Sequence, residues 1–283
     1  MLFNSIISAE YLLEQLHNPN LIVFDCRFSL ADTDAGYRNY RQSHICGAHY
    51  VDLNKDLSSP VRDYTGRHPL PDFRVLTKKL CSWGVHNRKQ IVVYDDNCGG
   101  FAARMWWLLR TMGHENVAVL DGGFSYWLTH KFPTTTSLPK TNQLTTFRTY
   151  LDDNQWLKTL DIENGLATNS ILLIDARTSE RFHGLQEPID PIAGHIPKAI
   201  NRPFQHNFDT NGLFLKPNIL REKFLNITNS IEPNKVVHMC GSGVTAICNL
   251  LAMEVAGLHG SKLYAGSWSE WITNKNRAVA SGY

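Results

Sequence analysis

No stretch of this 283-residue chain is apolar over the roughly 20 residues a bilayer crossing needs, so neither a membrane span nor a membrane partner is expected. The first residues, Met1 to Ile7, carry no basic residue ahead of their short apolar run, which argues against a secretory leader. An excess of one charge is missing too. The formal net charge is +2, with no acidic tail, so a broad nucleic-acid-binding surface is excluded and any anion site must be local. The six cysteines, Cys26, Cys46, Cys81, Cys98, Cys240 and Cys248, form no CxxC pair and have no matching histidine cluster. That excludes a zinc site and a disulfide scaffold and fits a reducing, cytoplasmic compartment. His238-Met239-Cys240 lacks further ligands at zinc-binding spacing, which removes a zinc hydrolase.

What is present is a core and a repeat. An apolar fraction of 43% fills real cores, and the length allows about two domains. Leu21-Ile22-Val23-Phe24-Asp25-Cys26-Arg27 is answered by Ile171-Leu172-Leu173-Ile174-Asp175-Ala176-Arg177, and Ser43-His44-Ile45 by Gly194-His195-Ile196. Gln90 to Tyr94 is answered by Lys235 to His238, and Val119 to Trp127 by Leu263 to Trp271, in the same order. Between the copies, Phe132 to Tyr150 is rich in Thr and Pro and reads as a connection. The division expected is 1–135, a linker at 136–150, and 151–283. Within each copy, short β-branched runs without alternation are separated by helical segments at Asp72–Trp83, Phe101–Thr111, Asn218–Asn226 and Val244–Ala256, with Ser8 capping a helix through Leu16. The fold class is therefore α/β, each copy a parallel sheet with helices on both faces.

In such sheets ligands sit at the carboxyl ends of strands, and Cys240 falls at one. The strand Val236-Val237-His238-Met239 runs into Cys240-Gly241-Ser242-Gly243-Val244-Thr245 and then a helix starting near Val244. Glycines there bury little and let successive N–H groups point at one spot, and the helix start adds its dipole. A cysteine in that place is expected to be exposed, to have a depressed pKa and to act as a thiolate nucleophile. A gapless overlay from Val92 on Val236 sets Asp96 opposite Cys240, Cys98 opposite Ser242 and Gly100 opposite Val244, so the first copy lacks the nucleophile.

These residues resemble the tandem-domain rhodanese family of sulfurtransferases over essentially the whole chain. The resemblance rests on Asp175-Ala176-Arg177 with Arg181-Phe182 downstream, Gly194-His195-Ile196-Pro197, the Cys240 to Thr245 loop, and Gly266-Ser267-Trp268-Ser269-Glu270-Trp271. It implies two rhodanese-like domains, the first catalytically silent. The loop wording is similar to that of 3-mercaptopyruvate sulfurtransferases; thiosulfate-preferring relatives carry bulkier basic residues where this chain has Ser242. The implied reaction loads a sulfur atom from 3-mercaptopyruvate, or from thiosulfate, onto Cys240 as a persulfide. A thiol such as thioredoxin or glutathione, or cyanide, then removes it, with no metal or organic cofactor.

The resemblance makes Arg181 the substrate-binding arginine, with Gly241, Gly243, Val244 and Thr245 lining the loop. The family's mercaptopyruvate enzymes add an arginine in a Glu-Pro-Arg stretch, which here is Glu187-Pro188-Ile189, and Arg202 is a candidate replacement. His68, in Gly66-Arg67-His68-Pro69, matches a histidine that forms a proton-handling set with Ser242 and an acid, whose position here is Asn54.

Simpler roles are expected for other residues. Arg27 and Arg177, each after a strand-end Asp, read as structural pairs; Cys26, Cys46, Cys81, Cys98 and Cys248 as buried hydrophobes; His238 as a packed histidine; Asp96 as a solvated or loop-capping residue. Trp106, Trp107, Trp127, Trp268 and Trp271 read as core. A cysteine phosphatase is disfavoured because its loop would end in an arginine where this chain has Thr245-Ala246. A non-enzymatic sulfur-sensing or binding module is disfavoured by the intact loop. The sequence carries no signature of oligomeric state.

Overall fold

Runs such as Leu21–Asp25 and Gln90–Tyr94 are apolar on both faces, which suits the centre of a sheet covered by helices on either side. The computed structural model describes residues 3–96, 99–139 and 144–282. Its first half runs β1 (Ile6–Ile7), α1 (Ala9–Gln15), β2 (Leu21–Asp25), α2 (Ala35–Gln42), β3 (His44–Ile45), β4 (His49–Tyr50), α3 (Phe73–Ser82), β5 (Gln90–Tyr94), α4 (Gly100–Thr111), β6 (Val117–Leu120), α5 (Gly123–Thr129) and β7 (Thr134–Thr135). The second half runs β8 (Trp156–Leu157), α6 (Thr159–Ala167), β9 (Leu172–Asp175), α7 (Ser179–Phe182), β10 (Ile200–Asn201), α8 (Pro217–Thr228), β11 (Val236–Met239), α9 (Ala246–Val255), β12 (Lys262–Tyr264) and α10 (Ser267–Trp271).

Two five-stranded sheets result, in the orders β1-β6-β5-β2-β4 and β8-β12-β11-β9-β10. Every pair within them is parallel. The orders match strand for strand, so the repeat read from the sequence is a repeat of topology. β5 and β11 are buried along their whole length, which explains why neither alternates. Around the first sheet Ile7, Leu12, Val23, Val92, Phe124 and Trp127 pack into one core. Around the second, Ile162, Leu173, Val237, Met239, Trp268 and Trp271 do the same. The five tryptophans expected in the core are all buried.

The chain divides into two compact units that do not follow a simple halving. One comprises Met1–Ser59, Leu70–Asp152 and Phe208–Phe214; the other comprises Pro60–Pro69, Asp153–Asn207 and Leu215–Tyr283. The described part of the expected linker packs rather than dangles: Phe147 is buried, and the N–H groups of Tyr150 and Asp152 donate to Met112 and Thr111 at the end of α4. Among the described residues no helix is long and apolar enough to cross a membrane.

The paired motifs have one structural explanation. In each copy a strand-end aspartate holds the arginine two residues on, Asp25 with Arg27 and Asp175 with Arg177, both at 2.7 Å. That arginine then donates to a carbonyl preceding the motif histidine, of Ser43 at 2.6 Å and of Gly194 at 2.7 Å. The histidine in turn donates from Nδ1 to a helix-end carbonyl, His44 to Tyr40 and His195 to Phe182. The arginines thus tie a strand end to the next loop, as the structural reading expects. Cys26 and Cys248 are buried, whereas Cys46 and Cys81 are only half-buried, a correction to the packing expected of them. Cys98 lies outside the described residues.

Candidate active site

β11 delivers Cys240 to the carboxyl edge of the second sheet, and the residues after it curl back over the sulfur. The curl is fixed from outside. The carbonyls of Cys240 and Gly241 accept from the N–H groups of Trp268 (3.0 Å) and Ser269 (2.9 Å) in α10, and the Cys240 N–H donates to Ser267 Oγ at 3.1 Å. With those groups tied off, the N–H groups of Ser242, Val244 and Ala246 and the Thr245 hydroxyl are left to donate to the sulfur. Gly243 makes the turn possible. Its φ is +73°, and a Cβ there would lie 2.2 Å from the Ala265 carbonyl oxygen.

Burial alone pushes the Cys240 thiol up, but the Thr245 hydroxyl and the three N–H groups outweigh it, and the pKa lies below the ordinary thiol value. The sulfur's residue is only 2% exposed. Exposure was the expectation from the glycines. It fails because the same curl that aims the amides inward also encloses their target. The helix begins at Ala246 with Thr245 as N-cap, two residues later than expected, since residues 242–245 form the cradle instead.

The compact unit that holds Cys240 also includes residues 60–69, and these bring His68 and Arg67 to the loop. His68, itself buried, lies with Nδ1 2.7 Å from Ser242 Oγ. Arg67 donates its backbone N–H to Ser269 Oγ at 3.1 Å, which anchors the segment against α10. Asn54, at the position where an acid was sought, donates its N–H to Asp52 in the other unit.

Arg181, on α7, is held by a hub of carboxylates. Glu187 accepts from Arg181 Nε and Nη2 (3.1 and 2.8 Å), from Arg177 Nη1 (3.2 Å) and from the N–H groups of Ile189 and Asp190. Asp190 accepts from Arg181 Nη2 at 3.2 Å and also pairs with Arg67. The two guanidinium groups meet over Gly241: a Cβ there would lie 2.8 Å from Arg67 Nη2, and 3.4 and 3.6 Å from Arg181 Nη2 and Nη1. A side chain there would have to displace the tip of Arg67. Arg67 was missed in the sequence, although its adjacency to His68 in a proline-bounded turn was the available signal.

Arg202 is not brought to this cluster, and the substrate-binding part sketched for it is corrected. Along β10 side chains alternate. Asn201 takes the face of α7, accepting from Ser179 Oγ at 2.9 Å, and Arg202 turns the other way. There it donates to Asn207 and Asn249 (2.7 and 2.8 Å) and stacks on Phe224, 3.8 Å from the ring centroid. Burial lowers its pKa to about 10. His238 shares that side. It packs with Nε2 3.1 Å from Met253 Sδ, and burial lowers its pKa to about 3, so it is neutral.

The first copy has a cradle of the same design with a different occupant. Cys26 N–H donates to the Tyr94 carbonyl as Ala176 N–H does to Met239, and Phe124 N–H donates to the Asp95 carbonyl as Trp268 N–H does to Cys240. Asp95, not Asp96, is therefore the counterpart of Cys240. The overlay slipped by one because Ile91-Val92-Val93 fits Val236-Val237 equally well in two registers. Asp95 Oδ1 accepts from Gly99 N–H (2.9 Å) and Oδ2 from Phe101 and Ala102 N–H (2.9 and 3.1 Å). Burial raises its carboxyl to about 6 against those donors, which leaves it ionised at neutral pH.

Comparison with known proteins agrees with this geometry. The rhodanese-like domain family model matches residues 8–130 and again 155–274. A Pseudomonas aeruginosa protein named "Probable 3-mercaptopyruvate sulfurtransferase" is 43% identical over 279 residues, covering 98% of each chain. The thiosulfate sulfurtransferase of Cricetulus griseus is 32% identical over 285 residues, covering 96% of this chain and 93% of its own. Among solved structures, a 3-mercaptopyruvate sulfotransferase of Escherichia coli superposes with a TM-score of 0.80 at 28% identity, over 95% of this chain and 100% of its own. Two matched halves, each with the same strand order, place the chain in the tandem-domain rhodanese family of sulfurtransferases.

Proposed function

We propose that the protein moves a sulfur atom from 3-mercaptopyruvate to a thiol acceptor or cyanide through a persulfide on Cys240. The observation that carries this reading is the set of donors around one sulfur: three N–H groups and the Thr245 hydroxyl stabilise negative charge on Cys240. The Cys240 thiolate attacks the donor's sulfur. The carbon–sulfur bond breaks, its electron pair passes to carbon as the enolate of pyruvate, and a proton completes pyruvate. The 2.7 Å contact between Ser242 Oγ and His68 Nδ1 supports a role for this pair in handing over that proton. An acceptor thiolate, from glutathione or thioredoxin for example, or cyanide then attacks the outer sulfur, and Cys240 leaves as thiolate.

Thiosulfate is the second donor reading, supported by the whole-length similarity to a thiosulfate sulfurtransferase. Its sulfur–sulfur bond would break to release sulfite, with no carbon to protonate. The first copy, with a carboxylate in the nucleophile's place, would form no persulfide. The reading is tested by intact-mass analysis after incubation with each donor in turn. A gain of one sulfur atom on the wild type, absent from Cys240→Ser, supports it, and the relative rates choose the donor. No gain with either donor would overturn it.

A further inference from the structure

One cavity stands apart from the nucleophile. It has a volume of about 490 Å³ and lies within the unit of the second sheet, walled by Leu166, Ile196, Pro197, Trp271 and Ala278, with Glu163, Lys198 and Arg277 among its polar lining. None of its lining residues belongs to the cluster around Cys240.

The first copy shows what occupies the matching place there. Trp127 donates its indole N–H to the Pro133 carbonyl at 3.0 Å, as Trp271 does to Ala278 at 2.9 Å. His44 pairs with Thr135 as His195 does with Ala280, which fixes the same register. On that register Arg277 answers Phe132. The Phe132 ring packs edge-on against Trp127, centroids 5.1 Å apart, at the border of the first core. In the second copy the chain supplies no ring at this point, only a guanidinium 5.6 Å from the Trp271 ring centroid, and a cavity lies beside it.

The charges around the cavity suit an anion. Arg277 spends Nε on Glu163 (2.8 Å) and Nη1 on the carbonyls of Glu270 and Trp271 (3.3 and 3.2 Å), while its Nη2 makes no hydrogen bond among the described residues. Lys198 gives two of its three donors to the Leu166 carbonyl and the Asn169 side chain (2.7 and 2.9 Å). It does so from a left-handed backbone, φ +69°, where the first copy has Gly47 at +79°, so this side chain is kept against a conformational cost. Two cations against one carboxylate leave a net positive edge on an apolar wall. We propose that the cavity is a binding site for a small aromatic carboxylate. The ring lies against Trp271 as Phe132 lies against Trp127, and the carboxylate meets Arg277 and Lys198. Such a site is independent of which sulfur donor Cys240 uses.

The test follows the Trp271 indole N–H by NMR of the full-length protein, the resonance being identified by its loss in Trp271→Phe. The probes are 3-phenylpropionate, its alcohol 3-phenylpropan-1-ol, and propionate. The aromatic acid should shift the resonance saturably with a Kd of about 1 mM, and the alcohol and propionate should each bind at least about tenfold more weakly. Arg277→Met should weaken the acid about tenfold and leave the alcohol within about twofold. Ala167→Phe, a substitution of an exposed residue lining the cavity, should fill the space and abolish binding. Pyruvate, the product expected at Cys240, should not displace the acid. The comparison of acid with alcohol needs no variant, so it decides the role of charge even where Arg277→Met does not fold. No saturable shift below about 10 mM, equal affinity for acid and alcohol, undiminished binding in Ala167→Phe, or displacement by pyruvate would overturn the assignment.

Discussion

Thr245→Val removes one of the four donors to the Cys240 sulfur and leaves the three N–H groups in place. The replacement is nearly isosteric, so the backbone of the cradle has no reason to move. A hydrogen bond to a charged group contributes about 1.5–3 kcal/mol. At about 1.4 kcal/mol per unit, its loss should raise the Cys240 pKa by roughly one to two units. Each unit cuts the thiolate fraction tenfold at any pH below the pKa. The rate of iodoacetamide alkylation as a function of pH measures the pKa directly, with Thr245→Ser as the control that retains the hydroxyl. Stability should follow with a defined sign. A folded-state pKa below the unfolded value means that the thiolate stabilises the fold above the unfolded thiol value of about 8.5 and that this contribution is lost as pH falls through the folded value. The gap in unfolding free energy between wild type and Thr245→Val should therefore open on the alkaline side and close toward acid. A pKa in Thr245→Val within about 0.3 units of wild type, or a Thr245→Ser shift as large as that of Val, would refute the account of the cradle.

Three further outcomes are expected. Arg202→Met should leave KM for mercaptopyruvate unchanged while lowering stability by about 1–3 kcal/mol, read by urea unfolding, because Asn207 and Asn249 lose a buried partner. Gly243→Ala should abolish persulfide formation and lower Tm, since a left-handed residue would gain a Cβ against the Ala265 carbonyl oxygen; a variant with wild-type mass shift would contradict the close approach. Asp95→Ala should cost about 1–2 kcal/mol by orphaning three N–H groups, with Cys240 alkylation kinetics unaltered.

The sequence was most legible where local chemistry and local geometry coincide. Cys240 to Thr245 follow one another in the chain, so the convergence of their amides could be anticipated from the glycines and the helix that follows. The duplicated Asp-x-Arg and His-Ile motifs were legible as pairs because each copy repeats the same tie between a strand end and a loop. Where a contact joins distant positions, nothing in the chain announces it. Arg67 and Gly241 meet only because residues 60–69 are folded into the unit of the second sheet. The choice of Arg202 failed on a strand's alternation, which turns on one residue of register at the end of a two-residue strand. The slip between Asp95 and Asp96 has the same origin: a uniform run of β-branched residues carries no mark that fixes its phase. The enclosure of Cys240 was missed because glycine content reports backbone freedom, not what covers the side chain.

The Asp95 carboxylate has a consequence for what the earlier copy can do. Because the ion is tethered to the chain, it meets the amides around it at an effective concentration that no dissolved sulfide, phosphate or carboxylate in a cell approaches. The carboxylate is thus a tethered guest: the N–H groups at the start of α4 are already taken up by the chain itself. The design that lowers the Cys240 pKa in the second copy serves, in the first, to fasten the start of α4 to the end of β5.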